Sequence, residues 1–170
     1  MTAATAACSG DDAPASPEQA TAKAAAASPD PQVAAAEKSA LAAYAGYLDA
    51  SREAERSADP FHPELKKYLA DPLLTRVRLA IRNAKEHGAM RTGKLISDPT
   101  VTAVSLDTVP PSVEIQDCLD ATGYQLVYVK DKKVVPGSAA GRYLATATAT
   151  RYPDGRWLIS AGAAHQDQPC

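Results

Sequence analysis

The apolar positions of this chain change period once, near residue 88. From Gln32 to about Ser57 they recur with helical spacing. Leu41, Tyr44 and Leu48 fall at i, i+3 and i+7 with Tyr47 beside them, while Glu37, Lys38, Arg52 and Glu53 lie elsewhere on the wheel. Alanine fills most other positions and favours helix strongly. Asp59-Pro60-Phe61-His62-Pro63 ends that helix and opens another. Pro63 suits the first helical position, because its missing N–H would be unpaired there anyway. A short helix then carries Leu65, Tyr68 and Leu69. Asp71-Pro72 repeats the cap-then-proline signal. The helix that follows places Leu74, Val77, Ile81 and Ala84 on one stripe and Arg76, Arg78, Arg82 and Lys85 off it, and Gly88 supplies a C-terminal stop.

Beyond Gly88 the period falls to two. Arg91–Ser97, Val101–Leu106, Ser112–Asp120, Gln125–Lys130, Tyr143–Tyr152 and Arg156–Ala163 read as strands. Thr146, Thr148 and Thr150 alternate with Ala145, Ala147 and Ala149, as a pleated strand with two unlike faces requires. Tyr152-Pro153-Asp154-Gly155-Arg156-Trp157 is a hairpin turn with glycine at the position that needs positive φ. Strands joined by turns this short pair antiparallel. Helices followed by antiparallel strands predict an α+β fold, with the N-terminal helices packed on one face of a curved sheet. A strongly curved sheet of that kind makes a cone with an interior hollow.

Composition divides the chain. Ser, Pro, Asp, Gln and Ala dominate from Ser9 to Gln32, and no aromatic residue precedes Tyr44. A segment of that kind buries little. We read residues 1–31 as a tether and residues 32–170 as a single domain, a size that supports its own core. Ala6-Ala7-Cys8-Ser9-Gly10 is similar to the end of a bacterial lipobox, in which small residues precede a cysteine that receives diacylglycerol. Thr5 stands where leucine is usual, and no charged and apolar leader precedes it, so this reading places the true start upstream of Met1. It makes Cys8 a lipidation site and the membrane a partner through that anchor.

Charge narrows the partners. The net charge is −2 with a pI near 5.9, and no basic stripe is interleaved with aromatic residues, which argues against nucleic acid. No run approaches the roughly 18–20 apolar residues of a membrane span. The chain contains no P-loop, no Gly-x-Gly-x-x-Gly, no His-Glu-x-x-His and no Gly-x-Ser-x-Gly, and no cofactor is expected.

The order of helices and strands, with Val113-Glu114-Ile115-Gln116-Asp117-Cys118-Leu119-Asp120 in mid-sheet, Asp154-Gly155-Arg156-Trp157-Leu158-Ile159 in the last hairpin and Cys170 at the end, resembles a group of small secreted proteins and lipoproteins of actinobacteria. These adopt the nuclear transport factor 2-like, or cystatin-like, cone fold. The likeness covers about residues 33–170 and implies an architecture and an envelope location, not a reaction. The same fold hosts cyclases, isomerases, dehydratases and non-catalytic scaffolds.

The chain has three cysteines. With Cys8 acylated, Cys118 and Cys170 are left, and outside the cytoplasm they are expected to form a disulfide. The rival readings are two free thiols or a metal pair. No Cys-x-x-Cys occurs and no histidine stands at ligand spacing from either cysteine, which disfavours zinc. His62 reads as a cap or surface residue, His87 as a helix-terminal cation and His165 as solvated. Asp117 and Asp120 flank Cys118 on a central strand, and Asp117, if it faces the cone's interior and burial raises its pKa, could act as a general base. Asp120-Ala121-Thr122-Gly123 reads as a turn. Tyr124, Tyr128, Tyr143 and Trp157 are pocket candidates, although tyrosines on half-buried strands more often pack with a wet tip.

The leading expectation is therefore a non-catalytic, envelope-tethered binding or accessory module. Its hollow would be lined by apolar and tyrosine side chains without a coupled acid–base pair, and would contact a small ligand or an envelope protein. The alternatives are a cyclase, isomerase or dehydratase using Asp117 within reach of a histidine or tyrosine, and an assembly unit of a cell-surface transfer or secretion machine. The last of these is favoured by a ring or a homodimer.

Overall fold

The structure, a computed structural model, describes residues 30–170. The expected lipidation site Cys8, and the tether up to residue 29, lie outside the described residues. Helix α1 spans Pro31–Arg56. Its start is set by Asp30, whose carboxylate accepts the Gln32 N–H at 2.8 Å, with proline in the first turn. The buried face of α1 consists of Ala36, Ala40, Ala43, Ala50 and Ala54 with Tyr44, whereas Leu41, Tyr47 and Leu48 are only partly buried. Of the expected leucine–tyrosine stripe, Tyr44 reaches the deepest packing, while Leu41 and Leu48 pack at the edge of the core. Alanine side chains let the helix approach the sheet closely, and Ala147 and Ala149 of the sheet belong to the same core.

Helix α2 is a single turn, Leu65–Tyr68. It begins later than expected: Pro63 stays in the preceding turn, closed by the Leu65 N–H donating to the His62 carbonyl at 3.2 Å. Helix α3, Leu73–Glu86, is preceded by Asp71, whose carboxylate accepts from the Thr75 N–H and hydroxyl at 3.2 and 2.6 Å. Leu73, Leu74 and Ile81 are buried, and Gly88 ends the helix with a φ of 62°. Among the described residues no helix is long and apolar enough to cross a membrane.

All six expected strands form: β1 (Ala89–Gly93), β2 (Pro99–Ser105), β3 (Ser112–Asp120), β4 (Tyr124–Tyr128), β5 (Arg142–Arg151) and β6 (Trp157–His165). The strands β2-β3-β5-β6 make a four-stranded antiparallel sheet, and β1 pairs with β4 in a separate two-stranded ribbon. The helices pack against these sheets, so the chain is α+β. On β5 the alternation holds, with Ala145, Ala147 and Ala149 buried toward the helices.

The two sheets are one long antiparallel pairing, bent in the middle. Ala89 pairs with Tyr128 and Gly93 with Tyr124. Ile96 then bridges Asp120, Pro99 faces Asp117 and Ser105 faces Ser112. The register slips by one residue at the interruption, where residues 94 and 95 lie opposite residues 121 to 123, and shifts again between Val101 and Ala103. The bend turns the β1–β4 ribbon toward α1 and α3, and encloses a hollow beside α1. Gly93 makes the bend possible. Its φ is 106°, and a Cβ there would be driven into the backbone carbonyl oxygen of Gly123. Replacing Gly93 by alanine is expected to cost about 3 kcal/mol, combining a disfavoured backbone angle with overpacking against backbone. Urea unfolding followed by circular dichroism measures this, and an unchanged midpoint would show that the bend does not need glycine.

Cys118 of β3 and Cys170 are joined in a disulfide with a Cα–Cα distance of 5.8 Å, the pairing expected of the two cysteines. A disulfide is compatible with an extracytoplasmic location.

Candidate functional site

One face of α1 forms the wall of the hollow. Tyr44, Tyr47, Leu48, Ser51, Arg52 and Glu55 fall at i, i+3, i+4, i+7, i+8 and i+11 and line a cavity of about 450 Å³. Across from them stand Arg91 of β1, Tyr124 of β4 and Tyr143 of β5, and the loop around Ser138 closes one side. Two of the pocket candidates, Tyr124 and Tyr143, therefore meet in this hollow. Tyr128 lines a neighbouring cavity under the β1–β4 ribbon. Trp157 lies away from both, in a groove with Gln32 and Arg151 by the start of α1.

The hollow contains titratable groups that contact each other directly, contrary to the expectation of none. The Tyr124 hydroxyl donates to Glu55 Oε2. Arg91 Nε lies 3.9 Å from Glu55 Oε1, and the Arg91 guanidinium stands 5.7 Å over the Tyr124 ring. Burial raises the Glu55 carboxyl above its ordinary range, opposed by the Tyr124 hydrogen bond and by Arg91. Burial pushes the Tyr47 hydroxyl up to about 12, with Glu55 contributing. Tyr124 is raised well above the tyrosine range by burial and then by the Glu55 charge, and Tyr44 by burial and then by Asp117. Burial also raises Tyr143. At neutral pH the hollow thus presents protonated phenols, which donate hydrogen bonds and do not release protons.

The raised Glu55 carboxyl gives a pH dependence. The folded state holds this proton more tightly than the unfolded chain does. Burial of Glu55 therefore carries no charge-desolvation penalty while the group is protonated and becomes less favourable as pH rises through the ordinary glutamate range and above it. Glu55→Gln removes that penalty. Its melting temperature relative to the unaltered protein is expected to rise between about pH 4 and pH 7. Calorimetry at both pH values checks the sign, and a constant difference would contradict it.

Asp117 points inward, 1% exposed, but it does not open into the hollow. Its Oδ2 accepts from the Tyr44 hydroxyl at 3.0 Å and from the Ser97 hydroxyl at 2.6 Å, and its Oδ1 accepts from the Asp98 N–H at 2.7 Å. These donors come from α1 and from the bend between β1 and β2, so the carboxylate ties helix, bend and sheet together. Asp120 accepts from the Thr122 N–H and hydroxyl, as its turn reading expects. Among the described residues no histidine hydrogen-bonds to either aspartate. His87 is on the rim of the cavity under the ribbon. His165 contacts the Thr146 hydroxyl at 3.1 Å instead of standing free in solvent. Among the described residues no three or more His, Cys, Asp and Glu side chains are grouped as a metal site would need.

Sequence reasoning passed over Ser51, Glu55 and Arg91 and placed Arg52 off the helical stripe. The signal for Glu55 was available. It lies seven residues after Leu48 and eleven after Tyr44, on the same face of α1, and a carboxylate in that position faces whatever the helix covers. Arg91 carried no such mark, because its place depends on the bend that brings the ribbon over α1.

No protein-family model matches the chain, and no curated protein does. Among solved structures it is similar to the intermembrane space region of the chloroplast protein ARC6, with 14% identity, a TM-score of 0.46, and coverage of 75% of this chain and 95% of that one. A likeness of that size carries nothing about the site.

Proposed function

We propose that this chain is a non-catalytic, envelope-tethered binding module, anchored through a lipid on Cys8, whose domain is a nuclear transport factor 2-like cone that holds a small ligand. The observation that carries this reading is the hollow: about 450 Å³, walled by Tyr44, Tyr47, Tyr124 and Tyr143, with phenols that stay protonated at neutral pH. Cavities of that size and lining suit small organic ligands. The resemblance to actinobacterial secreted proteins and the Cys118–Cys170 disulfide support the envelope location.

The test is mass spectrometry of the protein taken from its own envelope fraction. Under native conditions a non-covalent adduct is expected, lost on denaturation. The denatured chain should then carry diacylglycerol on Cys8 and gain two hydrogens on reduction. An unmodified N-terminus with no adduct would overturn the proposal.

A second reading is a small-molecule cyclase, isomerase or dehydratase. It draws on the inward placement of Asp117 and its bond to Tyr44, and on Glu55, which faces the hollow directly. Returning the released ligand to the protein separates the two readings. A ligand recovered with its spectrum unchanged supports binding. A changed one, with the change abolished in Asp117→Asn or Glu55→Gln, supports catalysis.

A further inference from the structure

Beside the tyrosine-lined hollow lies a second cavity, of about 490 Å³, between α3 and the β1–β4 ribbon. Its walls are mostly apolar, with Ala80, Ile81 and Ala84 on α3 and Leu126 and Val135 opposite, while Asn83, His87 and Tyr128 add polar groups to the lining. Glu55 and Arg91 belong to the linings of both cavities, so this pair forms the partition where the two meet.

The members of the partition are unequally engaged. Glu55 accepts a hydrogen bond from Tyr124. Arg91 has only the Glu55 contact at 3.9 Å, beyond hydrogen-bond reach, and the face of Tyr124, while its side chain remains 36% exposed. Among the described residues its guanidinium donates no side-chain hydrogen bond. The other cation of the hollow, Arg52, is paired with Asp49 at 2.9 Å. A guanidinium offers several N–H donors in a planar fork that matches an oxyanion. The open valence at the junction is therefore a donor with positive charge, next to an apolar slot.

We propose that the ligand is an organic anion whose carboxylate or similar oxyanion is held by Arg91 at the partition, reached from the tyrosine-lined hollow, and whose apolar body extends into the adjoining slot between α3 and the β1–β4 ribbon. This rests on the reading of the domain as a small-ligand binder and specifies the ligand's chemistry. A cationic ligand fits less well, because Arg91 already covers the Tyr124 face and would repel it. A neutral apolar ligand would leave the guanidinium without an acceptor.

The test uses two fluorescent probes with the same aromatic body, 1-anilinonaphthalene-8-sulfonate, which is anionic, and N-phenyl-1-naphthylamine, which is neutral. Both are titrated into the intact protein. The anionic probe is expected to bind roughly tenfold tighter or more, the value of charge-assisted hydrogen bonds at a partly buried site. Arg91→Gln should remove most of that difference and leave the neutral probe unchanged. Ala84→Phe, which fills the slot, should weaken both. Equal affinity for the two probes in the intact protein overturns the anion proposal while the ligand-binding reading stands. Failure of both probes to bind counts against the binding reading itself and takes the proposal with it. If Arg91→Gln does not fold, the comparison of the two probes on the intact protein decides alone. Full anionic affinity retained by a folded Arg91→Gln refutes the role of Arg91.

Discussion

Asp117→Ala is expected to lower the unfolding free energy by about 4 kcal/mol, the cost of leaving buried donors without their acceptor. The carboxylate receives three hydrogen bonds and is almost wholly removed from solvent. Hydrogen bonds to a charged acceptor are worth roughly 1.5–3 kcal/mol each, and the cost of desolvating the carboxylate offsets part of that sum. In the alanine variant the Tyr44 and Ser97 hydroxyls and the Asp98 N–H face a small void that holds no acceptor. Asp117→Asn tests the same point more finely. It keeps one oxygen for the Asp98 N–H and turns an amide toward two hydroxyls that can accept, so its loss should be about 1–2 kcal/mol. Urea unfolding of both variants measures this. An alanine variant within half a unit of the unaltered protein would show that Asp117 does not hold the bend, and would return it to consideration as a chemical group.

The same residue shows how far local pattern reaches. Asp117 was legible as inward-facing because Val113, Ile115, Asp117 and Leu119 share one phase of a period-two strand, and all four are buried. Its partners were not legible. Tyr44 lies 73 residues away, and no periodicity joins a helix position to a strand position at that distance. The helices and six strands emerged for the same reason, since each is a local repeat ended by Gly, Pro or Asp. The bend did not emerge, because β1 and β2 look like two ordinary strands until their pairing with β4 and β3 is known. On α1 the pattern found part of the buried face: Tyr44 is in the core and Leu41 and Leu48 pack against it. The alanines that fill the rest of that face were not singled out, because leucine and tyrosine outweigh them in any apolar count, yet close helix–sheet approach favours the small residue. The cavity-lining Glu55 shares the face of α1 that carries Tyr44 and Leu48, so it was legible from its spacing but not from its side-chain type.

The disulfide offers a second large effect with a different physical origin. Cys118 and Cys170 are 52 residues apart, and closing a loop of that length removes enough entropy from the unfolded chain to stabilise the fold by roughly 4 kcal/mol. The loop contains β4, β5, β6 and the last hairpin, so the constraint acts on half of the sheet. It also fixes the C-terminal segment beside the start of β5, where the Leu144 N–H donates to the Gln168 carbonyl at 2.9 Å. That bond lies inside the closed loop and does not itself require the bridge. Cys170→Ser should therefore leave the sheet and hollow intact at low temperature and lower the melting temperature substantially. The double variant Cys118→Ser/Cys170→Ser should lose no more than the single one, because either change opens the same loop. Thermal unfolding with and without reductant checks this: reductant should bring the unaltered protein to the variant's midpoint and leave the variant where it is. Equal midpoints for the oxidised protein and both variants would mean that the unfolded chain is already compact enough around these residues for the bridge to constrain nothing.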